Sequence, residues 1–367
     1  VRFNGSDYQP AIDNPRLSRQ HVRIRDLMLD GVWRTLDEIA AITQDPQASI
    51  SAQLRHLRKE RFGEYLVFKL SRGDRVHGLY MYRLGGPVQA PLWKWVGGKR
   101  WIASRLAELI YTRLEKGGIY YEPFVGAGAV ALALGSFNPP TRMVLSDLCV
   151  PLAGLWSWIQ ADPARLFRSI SSGWKNTEAF YYALRENFNA NHYSNTDPTP
   201  SARFLWLNAA GFNGMYRENA EGKLNIPYGK RATLVLPTQN DLLAVSALLA
   251  ETEIRIGVDF EDGLAGATKG DVVFSDPPYD VAPTDEAKFT AYTKSGFGQD
   301  QQARLARVHD QMRRSGVFVI MTNADTILIR DLYPERYWCV EPVSERRSIA
   351  ADAEKRVEAE CLVITSR

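Results

Sequence analysis

Apolar positions in the first ninety residues recur at helical spacing and then switch to alternation. Residues 1–15 are polar and rich in turn-formers and read as a loose arm. A helix is predicted from Ser18 to Leu29, with Val22, Leu27 and Met28 inward. Thr35-Leu36-Asp37-Glu38 has the Ser/Thr-x-x-Glu pattern, in which first and fourth side chains satisfy each other's backbone amides, so a second helix opens there. After Asp45-Pro46 a third helix runs from Ser49 to about Arg61. Its apolar face carries Ile50, Leu54 and Leu57; its other face carries Ser51, Gln53, Arg55 and Arg58. Tyr65–Leu70 and Leu79–Leu84 read as strands flanking a Ser71-Arg72-Gly73-Asp74 turn. The segment Gly85 to Pro91 then breaks both periodicities and reads as a linker.

Beyond it the pattern changes. Short apolar runs, Ile119–Tyr121, Met143–Leu145, Ile254–Ile256, Val272–Phe274 and Val317–Met321, have helical stretches between several of them, which argues for an α/β sheet. From Ala161 to Gln239 the pattern is helical and polar and ends in a Gly/Asn/Arg-rich segment, as expected of a helical insertion. The expected division is 1–85, a linker at 86–91, a first core part at 92–160, an insertion at 161–240 and a second core part at 241–367.

Composition narrows the function classes. A chain of 367 residues with 45% hydrophobic content supports two or three domains. The three cysteines lie far apart and the five histidines show no ligand spacing, which argues against a disulfide framework or a metal centre. No apolar run approaches the ~20 residues that span a bilayer and no signal peptide opens the chain, so a cytosolic protein is expected. A start at Val1 suggests a missing or processed N-terminus. The net charge of +3 permits a polyanionic partner without requiring one.

Two segments carry chemistry. Glu122-Pro123-Phe124-Val125-Gly126-Ala127-Gly128-Ala129 follows the first strand of the sheet, and its paired glycines let backbone approach a ligand closely. With Ala131 it satisfies Gly-x-Gly-x-x-Gly/Ala, and Asp147 follows at about the ~20-residue distance of a ribose-binding acid. Alone, this fits NAD as well as any other adenosyl cofactor. The second segment, Asp276-Pro277-Pro278-Tyr279, stands directly after the apolar run Val272-Val273-Phe274 and reads as a buried strand ending in a rigid, acidic, aromatic-tipped turn.

Lys94-Trp95-Val96-Gly97-Gly98-Lys99, then Glu-Pro-Phe-Val-Gly-Ala-Gly, then Asp-Pro-Pro-Tyr resemble, in that order, the three signature motifs of the Dam-type (alpha group) DNA adenine-N6 methyltransferases. The likeness covers roughly residues 91 to 367. It implies a Rossmann-like S-adenosylmethionine-dependent methyltransferase sheet with an inserted target-recognition domain. Trp95 and Lys99 would contact the methionine part of S-adenosylmethionine, Phe124, Gly126 and Gly128 would line it, Asp147 would hold the ribose, and Asp262 would bind near the adenine. Asp276 and the Pro277 carbonyl would each accept one hydrogen of the target amine, with Tyr279 stacked on the base; Asp276 would also border the cofactor. The base would be rotated out of double-stranded DNA, at a cost of a few kcal/mol. No metal is needed.

Asn208 to Arg231 resembles the family's recognition hairpin. There Phe212 would wedge into the stack, Asn213 and Met215 touch base edges, Arg217 read a guanine, and Lys230 meet phosphate; Lys94, Arg231, Arg346 and Arg347 are further DNA candidates. Ala209-Ala210 and Arg231 depart from the Gly-Ala-Thr-Cys methylases, so that site, or a related short one, stays open as the target. The N-terminal helices and hairpin resemble a winged helix-turn-helix, in which the third helix enters the major groove and the hairpin touches backbone. The rivals are a cytosine-N4 methyltransferase, a DNA-binding regulator with a silent methylase half and, for the N-terminal part, a protein-interaction module. A monomer or weak dimer, nucleoid-associated in a bacterial or phage-infected cell, is the expected state.

Overall fold

The protein is described by a computed structural model covering residues 10–63, 65–71, 80–137, 141–170, 173–280, 296–345 and 359–367. The N-terminal elements are α1 (Pro10–Met28), β1 (Arg34–Thr35), α2 (Leu36–Thr43), α3 (Gln47–Leu57), β2 (Tyr65–Ser71) and β3 (Tyr80–Pro87). The predicted cap is present: the Glu38 amide donates to Thr35 Oγ1 at 3.2 Å and the Thr35 amide to Glu38 Oε2 at 2.7 Å. Three antiparallel strands in the order β1-β3-β2 back the helices, and Ile24, Met28, Ile39, Ile50, Leu54, Leu57, Val67 and Leu84 form their core.

Several expectations change here. Helix α1 already starts at Pro10, where a loose arm was expected, and Val22 points outward while Ile24 takes the buried position. Gln53 lies on the inner side of α3, 1% exposed, where it donates to Gln20 Oε1 and pairs with His21 Nδ1. A side chain so enclosed cannot touch DNA, so its place among the contacts is withdrawn. Strand β3 runs through Gly85 and Gly86 to Pro87, so the linker begins later than expected. The expected Ser71–Asp74 turn falls almost entirely outside the described residues.

The alternation of β2 explains how the N-terminal part attaches. Val67 faces its own helices, while Leu66 and Phe68 face the rest of the chain. The Phe68 ring lies 4.4 Å from Phe137 and 5.8 Å from Tyr111, between centroids, and Arg83 sits over the Tyr111 ring. The Gly86 amide donates to the Ser136 carbonyl at 2.9 Å.

The remaining elements are α4 (Ala103–Arg113), β4 (Tyr120–Glu122), α5 (Ala129–Gly135), β5 (Met143–Asp147), α6 (Val150–Ala161), α7 (Pro163–Ile170), α8 (Glu178–Ala190), α9 (Thr199–Ala210), α10 (Gln239–Leu248), β6 (Thr252–Ile256), α11 (Phe260–Gly263), β7 (Val272–Ser275), α12 (Gln299–Arg314), β8 (Phe318–Ala324), α13 (Ile327–Leu332), β9 (Trp338–Glu345) and β10 (Ala359–Ser366). The seven strands pair in the order β6-β5-β4-β7-β8-β10-β9. All pairings are parallel except those of β10, which runs antiparallel to both its neighbours. Near-continuous apolar strands such as Val272-Val273-Phe274 suit a sheet covered on both faces. One face packs α4, α5 and α6; the other packs α11, α12 and α13. Helices α7, α8 and α9 extend the first core through Leu166, Tyr181, Phe204 and Trp206.

From β4 the chain winds outward through β5 to β6, then returns to place β7 on the other side of β4. Such a reversal leaves a crevice at the carboxyl ends of the central strands, where ligands of open α/β sheets bind. Among the described residues no helix is long and apolar enough to cross a membrane.

Candidate active site

The crevice is a cavity of about 660 Å³ at the ends of β4, β5 and β7. Its glycine loop is sterically specific. Gly126 (φ +51°) and Gly128 (φ +66°) are left-handed, and a Cβ on them would approach Trp95 to 2.8 Å and Trp156 to 2.5 Å. Trp156 Nε1 donates to the Gly126 carbonyl at 3.0 Å, and Asp147 accepts the amides of Gly126 (3.1 Å) and Cys149 (2.9 Å). Burial outweighs those two bonds and pushes the Asp147 carboxyl up to about 6. Phe124, Phe260 and Phe297 line an apolar part of the wall, with centroids 5.6 to 6.1 Å apart.

At the other end stands the turn after β7. Thr322 Oγ1, on neighbouring β8, donates to Asp276 Oδ1 at 2.6 Å. The Lys99 ammonium, 6% exposed, reaches the same carboxylate at 2.7 Å from Oδ1 and 2.8 Å from Oδ2. It also donates to the Gly97 carbonyl at 2.6 Å and lies 4.8 Å from the Tyr279 ring centroid. Pro277 and Tyr279 line the cavity, and burial, followed by the charge of Asp276, raises the Tyr279 hydroxyl. Below the turn, Ser275 Oγ and His309 Nε2 are 2.9 Å apart, and His309 Nδ1 is 2.9 Å from the Tyr333 hydroxyl. Burial pushes His309 down to about 3, so the ring is neutral.

The segment Gly211–Tyr228 approaches the same cavity. Trp95 stacks on Tyr216 at 5.6 Å and 24°, and both line the cavity. Buried Asn208 donates to the carbonyls of Lys94 (3.0 Å) and Gly214 (2.9 Å), tying the Lys-Trp segment to the loop. A Cβ at Gly214 would lie 2.8 Å from Lys94 Cβ. Phe212 is 49% exposed and Asn213 takes φ +55° just after α9, at the base of this segment, while Met215 is partly buried. Arg217 Nε donates to Asn225 Oδ1 at 2.8 Å. Lys94 and Lys230 are exposed, and Arg231 is partly so, with its carbonyl accepting from Asn176.

The cavity therefore gathers Trp95, Lys99, Phe124, Gly126, Gly128, Asp147, Asp276, Pro277 and Tyr279 as expected. Asp262 is a correction: it lies within α11, beyond the cavity wall, and the lining residues are Asp259, which caps that helix, and Phe260. On α3, Ser51 is partly exposed, Arg55 is exposed, and Arg58 donates to the Val67 carbonyl. Arg346 and Arg347 lie outside the described residues. The sequence reading gave no role to Glu122, Tyr216, Asp259, Phe260 or Phe297, all of which line the cavity. Glu122 is 3% exposed and accepts from the Tyr120 hydroxyl at 2.8 Å; burial raises its carboxyl well above the usual range. Its place at the end of a strand, before proline, was the signal that could have found it.

A doubly wound sheet with a glycine loop and the Asp147 carboxylate at one end of a switch-point cavity, and an acidic Pro-Pro-Tyr turn at the other, fits an α/β methyltransferase. Residues 95–349 match the D12 class N6 adenine-specific DNA methyltransferase family, and the chain belongs to it. It is similar to the type II methyltransferase M.MjaIII of Methanocaldococcus jannaschii, with 31% identity over 72% of this chain and 94% of the relative. The retron Ec67 DNA adenine methylase of Escherichia coli shares 34% over 74% and 90%, and the DNA adenine methylase of Haemophilus influenzae 33% over 74% and 92%. The protein is thus an adenine-specific DNA methyltransferase, moving a methyl group from a donor to N6 of adenine in DNA.

Proposed function

We propose that the methyl donor is S-adenosylmethionine and that the target adenine is presented to Asp276 in a flipped-out state. One observation carries this reading: the Lys99–Asp276 contact spans 177 residues of sequence and stands in the wall of one cavity that Asp147 and the glycine loop also line. The residues fit such a donor. Asp147 offers a carboxylate to ribose hydroxyls, Phe124, Phe260 and Phe297 offer an apolar slot for a flat ring, and Lys99 and Trp95 border the space left for the amino-acid part. The cavity falls within the ~300–1,000 Å³ range of pockets that enclose ligands of this size.

When bound, the cofactor supplies an electrophilic methyl group on a sulfonium and leaves as the neutral thioether. The chain's own residues do the rest. The adenine amine is a weak nucleophile because its lone pair is delocalised into the ring. Asp276 and the Pro277 carbonyl each accept one amine hydrogen, which favours a tetrahedral nitrogen with its lone pair toward the methyl. Lys99 balances the carboxylate before the base arrives and is displaced from part of it by the amine. Asp276 would take the one proton that the amine gives up for the methyl and pass it to water. Positioning and fixed dipoles are the catalytic terms.

Exposed Phe212 suits a wedge, Asn213, Met215 and Arg217 suit base edges, and Lys94, Lys230 and Arg231 suit phosphate. Residues 161–240 are read as the target-recognition part, with a Gly-Ala-Thr-Cys or related short target. The order α1-β1-α2-α3-β2-β3 with sheet order β1-β3-β2 supports a winged helix-turn-helix ahead of the core, with Ser51, Arg55 and Arg58 on its DNA side. The protein acts as a monomer or weak dimer in the cytoplasm. The test is calorimetric titration with S-adenosylmethionine, where Asp147→Ala abolishes binding. DNA affinity against salt is the companion: Arg55→Ala lowers the log–log slope by about one unit. Unchanged binding by Asp147→Ala refutes the cofactor site, and an unchanged slope refutes the winged-helix contact.

A further inference from the structure

The catalytic turn is gripped from behind by two buried amides. Gln302, in the first turns of α12 and 1% exposed, donates from Nε2 to the Pro278 carbonyl at 2.9 Å. Asn323, on β8 and fully buried, donates from Nδ2 to Gln302 Oε1 at 3.0 Å. Its own Oδ1 accepts the backbone amides of Asp280 (3.0 Å) and Ala324 (2.8 Å).

The direction of this chain is fixed at both ends by backbone groups. Two amide N–H groups can only donate, so Asn323 must show them its oxygen and offer its nitrogen to Gln302. Gln302 then has only its nitrogen left, and the Pro278 carbonyl can only accept. Turning over either side chain sets oxygen against oxygen or N–H against N–H at positions closed to bulk solvent.

We propose that Gln302 and Asn323 are positioning residues for methyl transfer. They hold the Pro278 carbonyl and the Asp280 amide from behind, so that the Pro277 carbonyl, to which no donor among the described residues bonds, stays available to the target amine. The inference rests on the reading of Asp276 and Pro277 as the groups that meet that amine. Neither amide touches the cavity, so their effect falls on the rate of the bound complex and not on the formation of that complex.

The test is Gln302→Glu, assayed by steady-state methyl transfer to duplex DNA between pH 6 and 8. The introduced carboxyl still accepts from Asn323, but can donate to the Pro278 carbonyl only when protonated. At pH 8, kcat is expected to fall by about tenfold or more, the loss of one buried hydrogen bond with an oxygen left against an oxygen, while KM for DNA stays within about twofold. The ratio of wild-type to variant kcat closes as the pH falls and the carboxyl gains its proton. An unchanged kcat, a loss equal at every pH, or a change in KM alone overturns the proposal. If Gln302→Glu does not fold, Asn323→Asp replaces it: Gln302 must then turn over and present oxygen to the Pro278 carbonyl, and an unimpaired kcat overturns the proposal equally. Asp276→Ala, assayed in parallel, separates the two layers. If it retains wild-type kcat, the reading of the site fails; if it is inactive while Gln302→Glu is normal, only the positioning role fails.

Discussion

Thr322→Val removes one hydroxyl and little volume from a fully buried position on β8. In the native protein that hydroxyl donates to Asp276 Oδ1 at 2.6 Å, so the substitution leaves Lys99 as the carboxylate's side-chain partner among the described residues. A hydrogen bond to a charged group contributes ~1.5–3 kcal/mol. The Asp276 side chain is 18% exposed, so water replaces part of the lost bond and the lower half of that range applies, ~1.5–2 kcal/mol. If the loss falls on the transition state, where the orientation of Asp276 matters, it becomes a decrease of about 10- to 30-fold in kcat. The assay is single-turnover transfer of labelled methyl groups to duplex DNA with both ligands saturating. Cofactor affinity is expected to stay within about twofold, since the bond acts on the base-facing carboxylate. A rate within twofold of wild type would show that Asp276 is not oriented through Thr322, and a loss confined to cofactor affinity would place Asp276 in binding instead of chemistry.

Other consequences follow from the same geometry. Burial raises the Asp147 carboxyl to about 6, so a carboxylate is available for ribose hydroxyls above that pH and lost below it; titration calorimetry should show affinity weakening below about pH 6, and Asp147→Asn should remove the dependence. The sign for stability is the reverse: the folded state holds this proton more tightly than the unfolded chain, so the group's contribution to stability declines as pH rises from about 4 to about 6, visible in urea titrations as a difference from Asp147→Asn. Phe68→Ala empties the contact with Phe137 and Tyr111 and should cost ~3–5 kcal/mol in denaturant unfolding, with the N-terminal part uncoupling first; one unshifted transition would contradict that. Phe212→Ala should diminish the fluorescence rise of 2-aminopurine placed at the target adenine, with cofactor affinity unchanged; an undiminished rise would rule out the wedge.

The site was legible where its chemistry is local. The glycine loop, the Asp147 spacing and the Asp-Pro-Pro-Tyr turn carry their conformational demands within a few residues, and all reach one cavity. What escaped depends on how distant segments meet. Gln53 has the helical spacing of a surface residue, but α1 brings Gln20 and His21 over it. Asp262 and Asp259 are equally acidic in the sequence, and only the start of α11 after Asp259 decides which of them borders the cavity. Gln302 and Asn323 sit 24 and 43 residues from the turn they hold, and nothing local tells that their side chains reach it. The attachment of the N-terminal part was hidden for a related reason: alternation along β2 reports two faces, not what covers the second one.

The central claim is that Asp276, held between Lys99 and Thr322, is where the adenine amine meets the methyl donor. It is tested most directly by incubating wild-type protein and Asp276→Ala with S-adenosylmethionine and duplex DNA, digesting the DNA to nucleosides, and identifying the product by mass. N6-methyldeoxyadenosine from the wild type, and none from a variant that still binds cofactor, is the predicted result. Full activity of Asp276→Ala, or N4-methyldeoxycytidine in place of the adenine product, would contradict it.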